Sequence, residues 1–190
     1  MRRAAAYVLL LVALASVAAA QSFTARIDGE QLHVAVPRVH LLTGEALQRL
    51  HDGATVNYEL QLSARPDPTG KLLARAVERF AVSYDLWEEK FAISKLGPGP
   101  KSVSHLSAAA AEAWCVDNIS LPVSTVGGNQ PFWLRLDFQS DDPGTLSGQE
   151  NNSGFTLSGL VDIFSRRTRG EQVHGSEEVG PLRLDSLKKK

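Results

Sequence analysis

The sequence has few of the residues that build metal centres and covalent cross-links. Its 190 residues include one cysteine, Cys115, which excludes an intramolecular disulfide and a metal site made of several cysteines. None of its five histidines lies at the His-x-x-x-His spacing of a helical zinc site. We therefore expect no metal and no cofactor, with a zinc site assembled from distant segments as the alternative.

Neither sign of charge is in excess, because 20 lysines and arginines stand against 21 aspartates and glutamates. Non-specific nucleic-acid binding needs a basic surface, so we expect no nucleic-acid partner. Long apolar runs are also missing beyond residue 20, where none approaches the ~20 residues that cross a bilayer. The sequence therefore predicts no transmembrane segment in that part of the chain.

Residues 1–20 have the pattern of a secretory signal peptide. Arg2 and Arg3 precede the apolar run Ala4–Val17, and small residues follow at Ala18–Ala20. We expect cleavage before Gln21 and export by the general secretion route, to the periplasm or the cell exterior. An uncleaved membrane anchor is the alternative, but the apolar run is short for a bilayer span.

No stretch has the spacing of a known catalytic loop. Gly97–Ser102 lacks the glycine pattern of a phosphate loop, and its two prolines remove amide donors. Gly144–Gly148 is not a Gly-x-Ser-x-Gly elbow. Asp85, Glu88 and Glu89 are carboxylates on a predicted turn, whereas the acids of a glycosidase face each other across a cleft. We expect no catalytic residue, and an enzyme would need a site assembled from distant segments.

Alternating apolar and polar residues predict the main strands. The hairpin around which the fold is organised is Arg79–Ile93, with its loop centred on Leu86–Trp87. One face of this hairpin is apolar, and it carries Phe80, Val82, Phe91 and Ile93. Thr55–Ser63 and Phe132–Phe138 alternate in the same way. Such faces need a second layer of structure to cover them.

Helices are predicted at Thr43–Asp52 and at Ala108–Val116, the second capped by Ser107. They are too few and too irregularly placed for a parallel sheet built from βαβ units. The fold class predicted is mainly β: an antiparallel β-sandwich, immunoglobulin-like or C2-like, with two or three short connecting helices.

The composition becomes polar beyond residue 144, which predicts a division of the chain. We predict a signal peptide at 1–20, a β-sandwich domain at 21–144, and a loop with an amphipathic helix at 145–169. A flexible polar tail is predicted at 170–190, with at most a short strand at Leu182–Leu184. The helix follows from apolar residues at i, i+3, i+4 and i+7, which are Leu157, Leu160, Val161 and Phe164.

Two tryptophans and this helix are the candidate contacts with a partner. Trp87 lies in the hairpin loop, and Trp133 lies on the face of its strand that otherwise carries polar residues. We expect Leu157–Phe164 or the helix of Trp114 to cover Trp133, or else an exposed indole that binds a partner. The candidate partner-binding residues are Trp87, Trp133, Leu157, Leu160, Val161 and Phe164. Peripheral membrane contact is a further option through Arg166, Arg167 and Arg169.

The order of these elements resembles that of an uncharacterised domain-of-unknown-function family of exported bacterial proteins. The resemblance is carried by Ala46–Gly53 followed by the Val56–Leu62 strand, by Arg79–Asp85 with Phe91 six residues later, and by Phe132–Phe138. It implies an exported, sandwich-like domain and provides no catalytic residue to carry over.

These observations together predict a non-catalytic binding or accessory module of the bacterial cell envelope. Its expected partner is an envelope or periplasmic protein. A periplasmic enzyme and a purely structural envelope component are the alternatives, and all three are compatible with the predicted fold.

Overall fold

A computed structural model describes residues 23–128, 130–141 and 172–189. Within these ranges the chain is mainly β and forms ten strands with few helices. The strands are β1 (Thr24–Asp28), β2 (Gln31–Ala35), β3 (Val56–Arg65), β4 (Ala74–Asp85), β5 (Lys90–Leu96), β6 (Lys101–Leu106), β7 (Ser120–Pro122), β8 (Phe132–Ser140), β9 (His174–Leu182) and β10 (Lys188–Lys189). The α-helices are α1 (Gly44–His51), α2 (Ala108–Asp117) and the single turn α3 (Val123–Val126), and a 3-10 turn spans Leu184–Ser186.

The strands form two sheets. The larger has six strands in the order β6-β5-β4-β3-β8-β9, and every neighbouring pair in it is antiparallel. The smaller has the order β10-β1-β2-β7 and is antiparallel except for the parallel pair of β1 and β10. The prediction of a mainly β fold with antiparallel strands and few helices is confirmed.

One hydrophobic core joins both sheets and the helices. Strand β3 contributes every second residue to it, from Val56 to Leu62, and β2 contributes Leu32 and Val34. Helix α1 adds Leu50, and α2 adds Ala111 together with the buried Cys115. Polar residues of β3 face the opposite side of the large sheet, as the alternation of its sequence requires.

In the β4–β5 hairpin the side chains lie on the faces that the sequence predicts. Val82 pairs with Ile93 and Tyr84 pairs with Phe91, which leaves a loop of four residues at positions 86–89. All four apolar residues assigned to the inner face are buried: Phe80, Val82, Phe91 and Ile93. The loop therefore projects from one end of the large sheet while the strands that carry it are fixed in the core.

The helices begin close to where the sequence places them. The side chain of Ser107 caps α2, where its hydroxyl accepts the N–H of Ala110 at 3.3 Å. Thr43 occupies the cap position of α1 but makes no side-chain capping bond. In α2, Trp114 packs edge-on against Phe80, with ring centroids 6.0 Å apart.

Strand β9 is where the structure differs most from the sequence analysis. The segment assigned to a polar tail pairs with β8 over its length, from Gln139↔His174 to Phe132↔Leu182. Its composition is polar because it is an edge strand with one exposed face. Two of its positions are glycines that lie against aromatic rings: a Cβ on Gly180 would come within 2.5 Å of the Trp133 indole, and Gly175 lies against Phe138.

Strands β8 and β9 are joined by residues 141–173. The two ends of this connection meet where the N–H of Ser140 donates to the carbonyl of Val173 at 2.8 Å. The N–H of Val173 donates in turn to the Ser140 hydroxyl at 3.0 Å. Strands β8 and β9 are therefore consecutive antiparallel neighbours at this edge of the sheet. The predicted loop and amphipathic helix at 145–169 lie outside the described residues, and so does the predicted signal peptide.

In the described part of the chain, no helix combines the length and the apolar character needed to cross a bilayer.

Candidate functional site

The loop of the β4–β5 hairpin, residues 86–89, exposes the largest apolar side chain of the described surface. We call residues 85–90 the hairpin tip. Trp87 at its centre is 96% exposed, and its neighbour Leu86 is 57% exposed. Most tryptophans in folded proteins bury the greater part of the indole. A tryptophan held almost wholly in solvent is therefore a feature that needs a reason.

Asp85, the last residue of β4, fixes the backbone of the tip through hydrogen bonds. One oxygen of its carboxylate accepts the N–H of Trp87 at 2.8 Å and the N–H of Glu88 at 3.0 Å. This is the side-chain-to-backbone pattern by which aspartate fixes a turn. The bonds from Glu88 and then Trp87 lower the pKa of Asp85 below its ordinary value, because they favour the ionised carboxylate.

A side-chain contact also connects the tip to strand β6. Glu88 Oε2 lies 2.9 Å from Nε2 of His105, near the end of β6. His105 itself has a positive φ of 63°, in the left-handed region that residues other than glycine rarely adopt. Both side chains are largely exposed, so this pair contributes little to stability, and its consequence is the orientation of Glu88 and His105 relative to each other.

The base of the tip is a cluster of three tilted aromatic rings. The ring of Tyr84 lies 4.9 Å from that of Phe91 across the hairpin and 4.5 Å from His51 at the end of α1. Phe91 is 5% exposed. The hairpin is therefore anchored in the core immediately below the loop that presents Trp87.

A fixed and exposed indole can bind a partner without first becoming ordered. Burying it would remove about 150–250 Å² of mostly apolar surface from water, a gross gain of ~4–6 kcal/mol. Carboxylates surround this apolar group: Asp85, Glu88 and Glu89 lie within two residues of Trp87. The tip therefore combines an apolar centre with an acidic rim.

Trp133 does not belong to the same surface. It pairs with Arg65 at the far end of β3, whereas the tip lies beyond the end of β3 at which Val56 pairs with Val82. Trp133 is half-buried and lies against Gly180 of β9. Trp114, which packs on Phe80, is partly buried against the core. The other candidates, Leu157, Leu160, Val161 and Phe164, lie outside the described residues.

The buried titratable groups are unsuited to nucleophilic chemistry. Burial raises the pKa of the Cys115 thiol to about 12, so the thiolate that would react is scarce at neutral pH. Burial likewise raises the pKa of Tyr58, whose hydroxyl donates to the carbonyl of Leu41 at 3.0 Å. Among the residues described, no three His, Cys, Asp or Glu side chains are grouped so that they could hold a metal ion.

His105 and its neighbour Ser104 are the site residues that sequence reasoning missed. Ser104 Oγ lies 2.8 Å from Nδ1 of His105. Glu88 is far from both in sequence, and only the pairing of β5 with β6, which is irregular between Phe91 and Ile93, brings them together. The adjacent serine and histidine are the signal in the sequence, but a pair of this kind is common and carries no spacing motif.

Compared with protein-family models, with curated proteins and with solved structures, the chain shows no match.

Proposed function

We propose that the protein is an exported binding or accessory module of the bacterial cell envelope, and that the hairpin tip is its contact surface. The observation that carries this proposal is Trp87, 96% exposed on a turn that Asp85 and His105 brace. Residues that dominate interfaces are enriched in tryptophan and lie at the centre of the contact. A tip that is already ordered also avoids much of the entropic cost of binding.

The charge around Trp87 indicates the chemistry of the partner. The tip carries three carboxylates and one lysine, Lys90, and this net negative charge repels an anionic membrane surface and favours a cationic rim around an apolar pocket. An envelope or periplasmic protein with such a pocket is therefore the partner that we propose. Membrane contact through Arg166, Arg167 and Arg169 would use a different part of the chain.

Export and the finer description of the fold belong to the same proposal. A signal peptide at 1–20 would place the mature chain, from Gln21, in the periplasm or outside the cell. The core that both sheets share supports a β-sandwich of the immunoglobulin or C2 kind. The order of elements supports membership of the exported family that the sequence resembles.

Photo-crosslinking in intact cells tests the contact surface. A photoreactive amino acid replaces Leu86 on the tip in one variant and Leu72, which is 42% exposed elsewhere, in a matched control. We expect a discrete crosslinked protein from position 86, lost when Trp87→Ala is added, and no such product from position 72. Identical products from both positions, or none from position 86, would contradict the proposal and favour a structural role.

A further inference from the structure

We propose that Ser104, His105 and Glu88 form a serine-dependent acyl-transfer site beside the tip. Ser104 Oγ lies 2.8 Å from His105 Nδ1, and His105 Nε2 lies 2.9 Å from Glu88 Oε2. A hydroxyl, an imidazole and a carboxylate in hydrogen-bonded series are the parts that activate a serine nucleophile. This inference goes beyond the binding function and does not depend on it.

The carboxylate determines the tautomer of the imidazole. Glu88 offers only acceptor oxygens when ionised, so His105 Nε2 must carry the proton that it donates. Nδ1 then has its lone pair free and accepts the hydroxyl proton of Ser104. The order of the two ring nitrogens is the reverse of that in chymotrypsin-like triads, but the proton transfer that it permits is the same.

The backbone holds these three side chains in place. The N–H of Glu88 donates to Asp85 at 3.0 Å, which fixes the positioning residue on its turn. His105 has a φ of +63°, and conformations of this kind persist where the surrounding structure enforces them, often at functional sites. The irregular pairing of β5 with β6 spans Ser104 and His105, and from there the ring of His105 reaches Glu88 of the tip.

An open hollow of about 440 Å³ adjoins Ser104 on the outer face of the large sheet. Its lining is rich in hydroxyl groups, from Thr55, Ser83, Ser94, Ser102 and Ser104. Hydroxyl groups both donate and accept hydrogen bonds, which suits a polyhydroxylated ligand. The substrate class that the hollow indicates is an acyl ester of a sugar or a similar polyol.

The free edge of the sheet is where we place the developing oxyanion. Strand β6 is the outermost strand of its sheet, so within the described ranges its free side presents backbone N–H groups without a strand partner. Backbone N–H groups are the usual donors to the oxyanion of acyl transfer.

The reaction balances without any further reagent. Ser104 Oγ attacks the ester carbonyl carbon while its proton passes to His105 Nδ1, and the tetrahedral intermediate then expels the alcohol, which takes that proton. Water attacks the acyl-serine in the second half, again losing a proton to His105, which returns it to Ser104 Oγ as the carboxylic acid leaves. Glu88 keeps the ring oriented throughout.

Labelling of the full chain with a fluorophosphonate probe tests the nucleophile directly. We expect one labelled serine, identified by mass spectrometry as Ser104, with labelling lost in Ser104→Ala and in His105→Ala. Ser124→Ala, an exposed serine on α3, is the matched control and should label like the unchanged protein. Labelling that is absent, or that persists in Ser104→Ala, overturns the proposal.

Hydrolysis of p-nitrophenyl acetate by the same variants measures turnover. Ser104→Ala and His105→Ala should lower kcat/KM by about 100-fold or more. Glu88→Gln should lower kcat with KM unchanged, and Glu88→Asp should restore part of the loss, which a purely structural role would not produce. Each variant is checked for an unchanged melting temperature. Equal rates in Ser104→Ala and Ser124→Ala would overturn the proposal, whatever the crosslinking at Leu86 shows.

Discussion

Replacing Phe91 by alanine tests whether the hairpin tip rests on the core as the structure has it. Phe91 is 5% exposed and its ring contacts that of Tyr84, so the change removes a buried side chain and leaves a cavity. Truncations of this kind cost ~3–5 kcal/mol. A domain of this size loses about 2–4 °C in melting temperature per kcal/mol, so we expect a fall of roughly 6–20 °C.

Lys90→Ala is the matched control, because Lys90 precedes Phe91 and lies on the opposite, exposed face of β5. A surface change of this kind should cost only a few tenths of a kcal/mol. Urea unfolding followed by circular dichroism measures both variants. Equal destabilisation by the two substitutions would mean that Phe91 and Lys90 do not lie on opposite faces of the hairpin. The description of the tip as anchored in the core would then be wrong.

Three further predictions follow from the packing and the charges. Gly180→Ala should destabilise the protein by ~1–3 kcal/mol, because the added methyl group would overpack against Trp133. Ser176→Ala, an exposed position on the same strand, should have little effect. Equal melting temperatures for the two variants would refute the packing of β9 on the Trp133 ring. The pKa of Asp85 is lower in the folded tip than in an unfolded chain, because its carboxylate accepts the N–H groups of Glu88 and Trp87. The stability that these two hydrogen bonds contribute should be complete above the ordinary carboxyl pKa and should be lost as the pH falls through the lower pKa of the folded state. The Trp87 and Glu88 amide signals should then shift together in an NMR acid titration, and unchanged signals would contradict this. Finally, Cys115 should resist a thiol reagent at mildly alkaline pH in the native protein and react once urea unfolds it; rapid native reaction would show that it is not buried.

A chain that ends at residue 144 also has a specific expected outcome. It lacks β9 and β10, so it loses an edge strand of each sheet and uncovers Trp133. We expect a red-shifted tryptophan emission and a lower melting temperature. Replacing 143–170 by a short flexible linker instead keeps β9 and is the control that separates the strand from the connection.

The inner faces of the central strands could be predicted because alternation alone determines them. The spacing of these residues predicts one buried face, and all four of them are buried: Phe80, Val82, Phe91 and Ile93. The start of α2 could be predicted in the same way, since Ser107 is a residue type that caps helices and does so here.

Strand β9 could not be predicted from its own sequence. An edge strand needs few apolar residues, and its glycines read as loop signals when the neighbouring strand is unknown. Gly175 and Gly180 are required by Phe138 and Trp133 of β8, which is a tertiary reason. The place of Trp87 in the loop makes it a candidate from sequence alone, whereas the contact of Glu88 with His105 depends on the irregular register of β5 and β6.

The central claim, that the tip presents a fixed and accessible tryptophan to a partner, can be tested by fluorescence. Trp114→Phe and Trp133→Phe together leave Trp87 as the sole tryptophan. We predict that acrylamide quenches this indole almost as strongly as free tryptophan, and that adding envelope extract shifts its emission to the blue and protects it from the quencher. Strong protection in the isolated protein, or no change with saturating extract, would contradict the account.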